Sequence, residues 1–294
     1  MIAKHLKYGL MVLALGGGLS IESTAGSEPL DNCPSVLRMA DTGIEGMGNL
    51  HDAFGPFAKR FETITGIELQ LFSLSNRTAA GNALIYGDVD LVFAGPSEYL
   101  LFRRETGVDI LFTVERPHYG SSFFVPADSE IHSLEDLRGK RVALKDVGSA
   151  SGHLLPILML RKAGLDPKRD LDIIMAGDSR AAALANGDVA AMGGGNRDLQ
   201  LLRQMDPDGE YRVIAESPLL PGDPVLVRAS LPHDCRTQLA DRLEAHADAL
   251  WEALVATDRN HEKFVQRDSA LRFDRSALDY SLVEEAYRAA GIDL

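Results

Sequence analysis

The stretch Gly148-Ser149-Ala150-Ser151-Gly152-His153 has the composition of a turn that holds an anion. Val142 to Val147 reads as a strand that ends there, and a helix begins at Leu154, with Pro156 admissible only in its first turn. Such a junction aims unpaired backbone N–H groups and the positive end of a helix dipole at one point, and the serines add two hydroxyl donors. Ser149, Ala150, Ser151, Gly152 and His153 are therefore the first candidate ligand-binding residues. A single serine would cap the helix. Two serines and two glycines exceed that need. An esterase elbow, G-x-S-x-G, is excluded because Ala150 stands where its nucleophile would be.

Three further clusters have side chains suited to the same task. In Ser75-Asn76-Arg77-Thr78, Asn76 or Thr78 is placed to cap a helix and Arg77 to offer a fork of donors to an oxyanion, or simply to be solvated. In Gly95-Pro96-Ser97-Glu98-Tyr99, Ser97 and Tyr99 follow a strand's C-terminal end, where open α/β sheets bind ligands; their alternatives are a cap and a core ring. Arg116 and Tyr119, in Arg116-Pro117-His118-Tyr119, line a cleft or form a surface turn. There is no GxxxxGK[ST] loop, Gly193-Gly194-Gly195 lacks dinucleotide spacing, and the 8 histidines include no HExxH. No metal, cofactor or catalytic set is expected, and the chain does not read as an enzyme.

The elements that must position these residues are short apolar strands alternating with helices. Val36-Leu37-Arg38-Met39 reads as a strand, and Leu50, Phe54, Phe57 and Phe61 recur at helical spacing. Ile67 to Leu71 alternates as a strand, Thr78 to Tyr86 is helical and stops at Gly87, and Val89 to Phe93 is a buried strand. This is βαβ grammar, which gives a largely parallel sheet with helices on both faces. The segment from Thr78-Ala79-Ala80 to Gly87-Asp88-Val89 is echoed by Arg180-Ala181-Ala182 to Gly187-Asp188-Val189, which suggests two lobes of similar local topology. Ser121 to Pro126 reads as a crossing to the second lobe, and Pro221-Gly222-Asp223-Pro224 as the return. Helices over Arg236 to Leu254 and Ala277 to Ala290 are expected to pack back on the first lobe. The resulting division is a leader over 1–25, lobe I over 26–119, lobe II over 120–222, and a return with C-terminal helices over 223–294.

The leader is read from Lys4, His5 and Lys7, the apolar run Leu10 to Leu15 and the small-residue exit Ser23-Thr24-Ala25. It implies export and a periplasmic location. A formal net charge of −13 argues against nucleic acid as a partner, because binding it requires a basic surface. In an oxidising compartment the 2 cysteines, Cys33 and Cys235, read as a disulfide, the alternative being two unrelated thiols.

Three segments taken together resemble the phosphonate/phosphite/phosphate-binding periplasmic proteins of ABC transporters. They are Gly87-Asp88-Val89-Asp90-Leu91-Val92-Phe93 with Gly95-Pro96-Ser97-Glu98-Tyr99; Leu134-Glu135-Asp136-Leu137-Arg138-Gly139-Lys140-Arg141-Val142-Ala143; and Gly148 to Pro156. The resemblance runs from Val36 to about Leu231. It implies a two-lobed α/β binding-protein fold of type II-like form, with hinge strands between the lobes and a small tetrahedral oxyanion enclosed there. The expected ligand is a phosphonate, phosphite, phosphate or arsenic oxyanion. The expected partner of the monomer is an ABC permease or, for a sensor, a membrane histidine kinase. That family usually has a threonine between the two serines, where this chain has Ala150. It often has a histidine near Gly177-Asp178-Ser179-Arg180, where this chain has an acid. Asp178 is expected either to select a protonated ligand across the cleft or to cap the helix that starts near Ser179.

Overall fold

Apolar stripes and left-handed glycine stops set out the first lobe. In the computed structural model, which describes residues 30–43, 46–74, 76, 79–265, 269–274 and 278–294, β1 (Val36–Asp41) leads into α1 (Met47–Thr65). Leu50, Phe54, Phe57 and Phe61 form the buried face of α1, at the helical spacing read from the sequence. β2 (Glu68–Leu71), α2 (Ala79–Tyr86), β3 (Leu91–Phe93), α3 (Pro96–Thr106) and β4 (Asp109–Glu115) follow. The leader, Arg77 and Thr78 lie outside the described residues. Asn76 does cap, its Oδ1 accepting the Ala79 N–H at 3.0 Å.

The second lobe starts with β5 (Ser121–Pro126) and continues through β6 (Arg141–Leu144), α4 (Leu155–Lys162), β7 (Asp172–Met175) and α5 (Arg180–Ala185). It ends with β8 (Ala191–Gly195), α6 (Asp198–Met205) and β9 (Tyr211–Glu216). β10 (Asp223–Val227), α7 (His233–Glu244), α8 (Ala247–Leu254), α9 (Asp258–Phe264), β11 (Ala270–Arg272) and α10 (Ser281–Ala290) complete the chain. One six-stranded sheet runs β11-β4-β10-β3-β1-β2 and a second, five-stranded sheet runs β7-β6-β8-β5-β9. The chain thus leaves the first sheet after β4 and rejoins it at β10.

The echo in the sequence is an equivalence of strands. β1 is parallel to β2 and β3, as β6 is parallel to β7 and β8. β10 and β5, the two strands that enter a sheet from the other lobe, are each antiparallel to the third strand of their unit. The helix stops match bond for bond. Gly87 (φ 72°) and Gly187 (φ 76°) are both left-handed. After them the Asp88 N–H donates to Ala83 O at 2.8 Å and the Asp188 N–H to Ala183 O at 2.9 Å.

The tail departs from its expected form in two places. The helix expected over Arg236 to Leu254 is divided into α7 and α8 at Ala245-His246, where the His246 ring lies 2.9 Å from Arg242 O. α7 and α8 do pack on α1. They cover that face, and α10 lies elsewhere, chiefly on α4 of the second lobe. Val283, Ala286 and Tyr287 share a buried cluster with Leu154, Leu155 and Leu158 of the second lobe and with Tyr99 and Leu100 of the first. Arg161 donates to Ala289 O, and the Tyr287 hydroxyl reaches Ser97 O at 3.0 Å. The C-terminal helix therefore touches both lobes.

Cys33, just ahead of β1, is bridged to Cys235 on the buried side of α7, with the Cα atoms 5.0 Å apart across 202 residues of sequence. Closing so long a loop restricts the unfolded chain and is worth about 2–4 kcal/mol. Denatured, non-reduced protein is expected to show no free thiol, and reductant should lower the urea midpoint accordingly. A titre of two thiols before reduction would contradict the bridge.

Candidate functional site

The C-terminal ends of equivalent strands in the two lobes face each other across a cleft of about 210 Å³. From the first lobe Asp41 and Thr42 follow β1, while Ser97 and Glu98 follow β3. From the second lobe Lys145 and the turn Ser149 to Gly152 follow β6, while Asn196 follows β8. Arg116 and Tyr119 enter from the outgoing crossover, and α9 adds Arg259, Asn260 and Lys263.

The glycine/serine turn winds through a wide π-type turn, Ala150–Leu154, before α4. Its backbone N–H groups are partly spent. Ser149 N donates to Asp146 O, Gly152 N to the Ser149 hydroxyl, and His153 N and Leu154 N to Ser149 O. The N–H groups of Ala150 and Ser151 make no hydrogen bond among the described residues, and both residues line the cleft. Gly152 is needed for close contact, because a Cβ there would collide with that of Lys145. The Lys145 N–H in turn donates to Gly152 O at 2.8 Å. Lys145 and the turn are thus one packed unit, and both line the cleft.

Three ion pairs of different character surround this point. Arg116, at the end of β4, puts its Nη1 3.0 and 3.1 Å from the two oxygens of Asp223, at the start of β10, with only 7% and 5% of the side chains exposed. Lys263 approaches the same carboxylate at 3.1 Å, and the Tyr119 ring stacks 3.5 Å from the Arg116 guanidinium. Burial opposes charge on Asp223, but Arg116 and Lys263 outweigh it and hold the carboxyl below its usual range. In the second lobe, Arg180 and Asp198 pair at 2.6 Å with 5% and 3% exposure, and Asp198 also accepts the Gly195 N–H at 2.9 Å. The third pair differs. Asp178 meets Lys145 at 3.3 Å and Arg180 at 3.5 Å while its own side chain is 91% exposed. Lys145, before the cost of burial and the help of Arg180, holds the Asp178 carboxyl below its usual range. Breaking a buried pair costs about 3–5 kcal/mol and an exposed one about 0–1, so the first two are fixtures and the third is exchangeable.

A family described as the periplasmic substrate-binding protein of a phosphonate ABC transporter matches residues 45–270. The chain belongs to that family. It is 30% identical over 198 residues to the phosphate-import protein PhnD of Mycolicibacterium smegmatis, covering 62% of this chain and 60% of that one. It is 28% identical over 218 residues to the phosphonates-binding periplasmic protein of Escherichia coli K12, covering 70% and 64%. The matches therefore span less than two thirds of either relative's length. The solved structure of PhnD1 from Prochlorococcus marinus in complex with methylphosphonate superposes with a TM-score of 0.69 at 18% identity, over 88% of this chain and 99% of that one. The fold is accordingly the two-lobed, type II-like binding-protein fold. Among the described residues, no helix is long and apolar enough to cross a membrane.

Within this member of the family the residues expected at the site divide. Ser97, Arg116, Tyr119, Ser149, Ala150, Ser151, Gly152 and Asp178 line the cleft. Tyr99 does not: it is buried against Tyr280, with ring centroids 4.8 Å apart, the core ring that was its alternative. His153 also turns away, its Nδ1 accepting the Gly148 N–H at 3.2 Å, and burial pushes its pKa down. Each directly follows a cleft residue, Glu98 and Gly152, and so points to another side of its helical turn. Asp178 makes no capping bond. Lys145, Asn196, Asp41 and Glu98 escaped the sequence reading although each stands at a strand's C-terminal end, a signal that would have found them. Nothing local marks Asp223 or Lys263, whose partners lie far off in sequence.

Asp223→Asn is expected to destabilise the protein by about 3–5 kcal/mol, because it leaves Arg116 buried without its counter-charge. Since the folded pKa of Asp223 lies below the unfolded value near 3.8, its contribution is present above that pH and is lost as pH falls through the folded pKa. The wild-type urea midpoint should therefore approach that of the variant below pH 4. A variant as stable as wild type at pH 7 would refute the pair's structural role.

Proposed function

We propose that this chain captures a small tetrahedral oxyanion of the phosphonate or phosphate class between its lobes and delivers it to an ABC permease. The carrying observation is the convergence on one cleft of the unspent N–H groups of Ala150 and Ser151, the Ser151 hydroxyl and the Lys145 ammonium. Ser149 also contributes. Its oxygen accepts from Gly152, which leaves its proton for an anion. Tyr119 lines the same cleft from the outgoing crossover and brings a second hydroxyl. Anchored through Arg116, it lets groups from both lobes reach one ligand, so that binding favours closure.

Charge balance in the cleft supports an anion that keeps a proton. Arg116, Lys145, Arg180, Arg197, Arg259 and Lys263 are met by Asp41, Glu98, Asp178, Asp198 and Asp223. Ionised carboxylates accept hydrogen bonds and donate none, so Asp41 and Glu98 tolerate hydrogen phosphate or a protonated phosphonate and repel sulfate. The names of the relatives point the same way, one to phosphate import, one to phosphonates and one to methylphosphonate. The chain acts as a monomer in the periplasm, exported by its leader, and turns over nothing.

Calorimetry with methylphosphonate, inorganic phosphate and sulfate tests this reading. The first two are expected to bind, and sulfate at least about tenfold more weakly. Ser151→Ala removes a donor to a charged acceptor, worth about 1.5–3 kcal/mol, and should weaken binding about ten- to hundredfold without changing the unfolding midpoint. No heat with either phosphorus oxyanion would overturn the assignment, and unchanged affinity in Ser151→Ala would remove the turn from the site.

A further inference from the structure

We infer that Asp178 is a resident counter-ion of the anion seat, a carboxylate that holds Lys145 until the oxyanion takes its place. The inference rests on the oxyanion reading above and names the residue that sets the seat's affinity. Among the cleft's ion pairs, Arg116–Asp223 and Arg180–Asp198 use acids that are 5% and 3% exposed and are fixed beneath the surface. Asp178 is 91% exposed, forms no helix cap, and stands at the cleft with its carboxylate 3.3 Å from Lys145. Its side chain can swing into solvent without unmaking any part of the core.

The two cations it meets are not equivalent. Arg180 keeps Asp198 through Nη2 at 2.6 Å and Gly177 O through Nη1 at 2.7 Å, so loss of the 3.5 Å contact with Asp178 leaves it paired. Lys145 is packed on the glycine/serine turn through Gly152 and shares the turn's outlook into the cleft. An oxyanion seated at the Ala150 and Ser151 N–H groups therefore meets the same ammonium that Asp178 meets. The exchange replaces one negative charge with another, and the cost of releasing the Lys145–Asp178 pair is the same whichever anion arrives. Asp178 thus lowers affinity by a similar factor for every anion that takes Lys145.

Calorimetry with inorganic phosphate and methylphosphonate at pH 8 and low salt, on the full chain, tests the inference with Asp178→Asn, Lys145→Met and the double variant. Exchange of an exposed pair predicts about two- to fivefold tighter binding in Asp178→Asn. Loss of a charge-assisted donor predicts about tenfold or more weaker binding in Lys145→Met. In the double variant the gain from Asp178→Asn should vanish, leaving the affinity of Lys145→Met. Weaker binding in Asp178→Asn would make the carboxylate a direct ligand contact, and unchanged binding would make it a bystander; either overturns the inference while leaving the oxyanion reading intact. If wild type binds neither anion, that reading itself falls and takes the counter-ion with it. The unfolding midpoint of Asp178→Asn should match wild type, since its side chain is solvent-exposed.

Discussion

The Arg116–Asp223 pair sits where the chain's two passages between lobes come together, and the rest of the molecule is arranged around it. Arg116 is the first residue past β4 on the way out, and Asp223 is the first residue of β10 on the way back. A charge pair this deeply buried survives only if each partner compensates the other and further groups share the load. Here Lys263 from α9 and the Tyr119 ring do so. The pair ties the outgoing connection to the returning one at the point where both leave the first sheet. The Arg116 Nε is buried and has no partner among the described residues, a cost borne at this junction.

The second lobe repeats the device with other residues. Arg180 and Asp198 clamp the start of α5 to the turn after β8, so each wall of the cleft is backed by a buried arginine–aspartate pair. The strand ends that look into the cleft differ in sign. The first lobe ends β1 on Asp41, and the second lobe places Lys145 just past β6. An acceptor and a donor thus reach the cleft from opposite lobes, which suits an oxyanion that still carries a proton better than one that is only an acceptor.

What the sequence discloses here depends on how local the physics is. Helical spacing exposed the Leu50, Phe54, Phe57 and Phe61 face, and the glycine stops at 87 and 187 revealed the repeated unit, because each signal lies within a few residues. The glycine/serine turn at the cleft was legible for the same reason: a strand end, glycines, serines and a helix start are contiguous. Tyr99 and His153 misled because a polar ring next to a site reads alike whether it faces the cleft or the core, and only packing decides. Asp223 is 107 residues from Arg116 and 40 from Lys263, and no window along the chain reports such a meeting. α10 was misplaced because an apolar helix face does not say which of two lobes will cover it.

The Cys33–Cys235 bond makes a ring of the backbone, and the whole second lobe lies on that ring. A protease that cuts any exposed turn between the two cysteines opens the ring without releasing a fragment, because both new ends stay tethered through the sulfurs. α10 lies beyond the ring and reaches back over both lobes, so it holds by packing what the ring holds by covalency. A chain nicked within the second lobe would thus keep its parts in register and could still present one complete cleft.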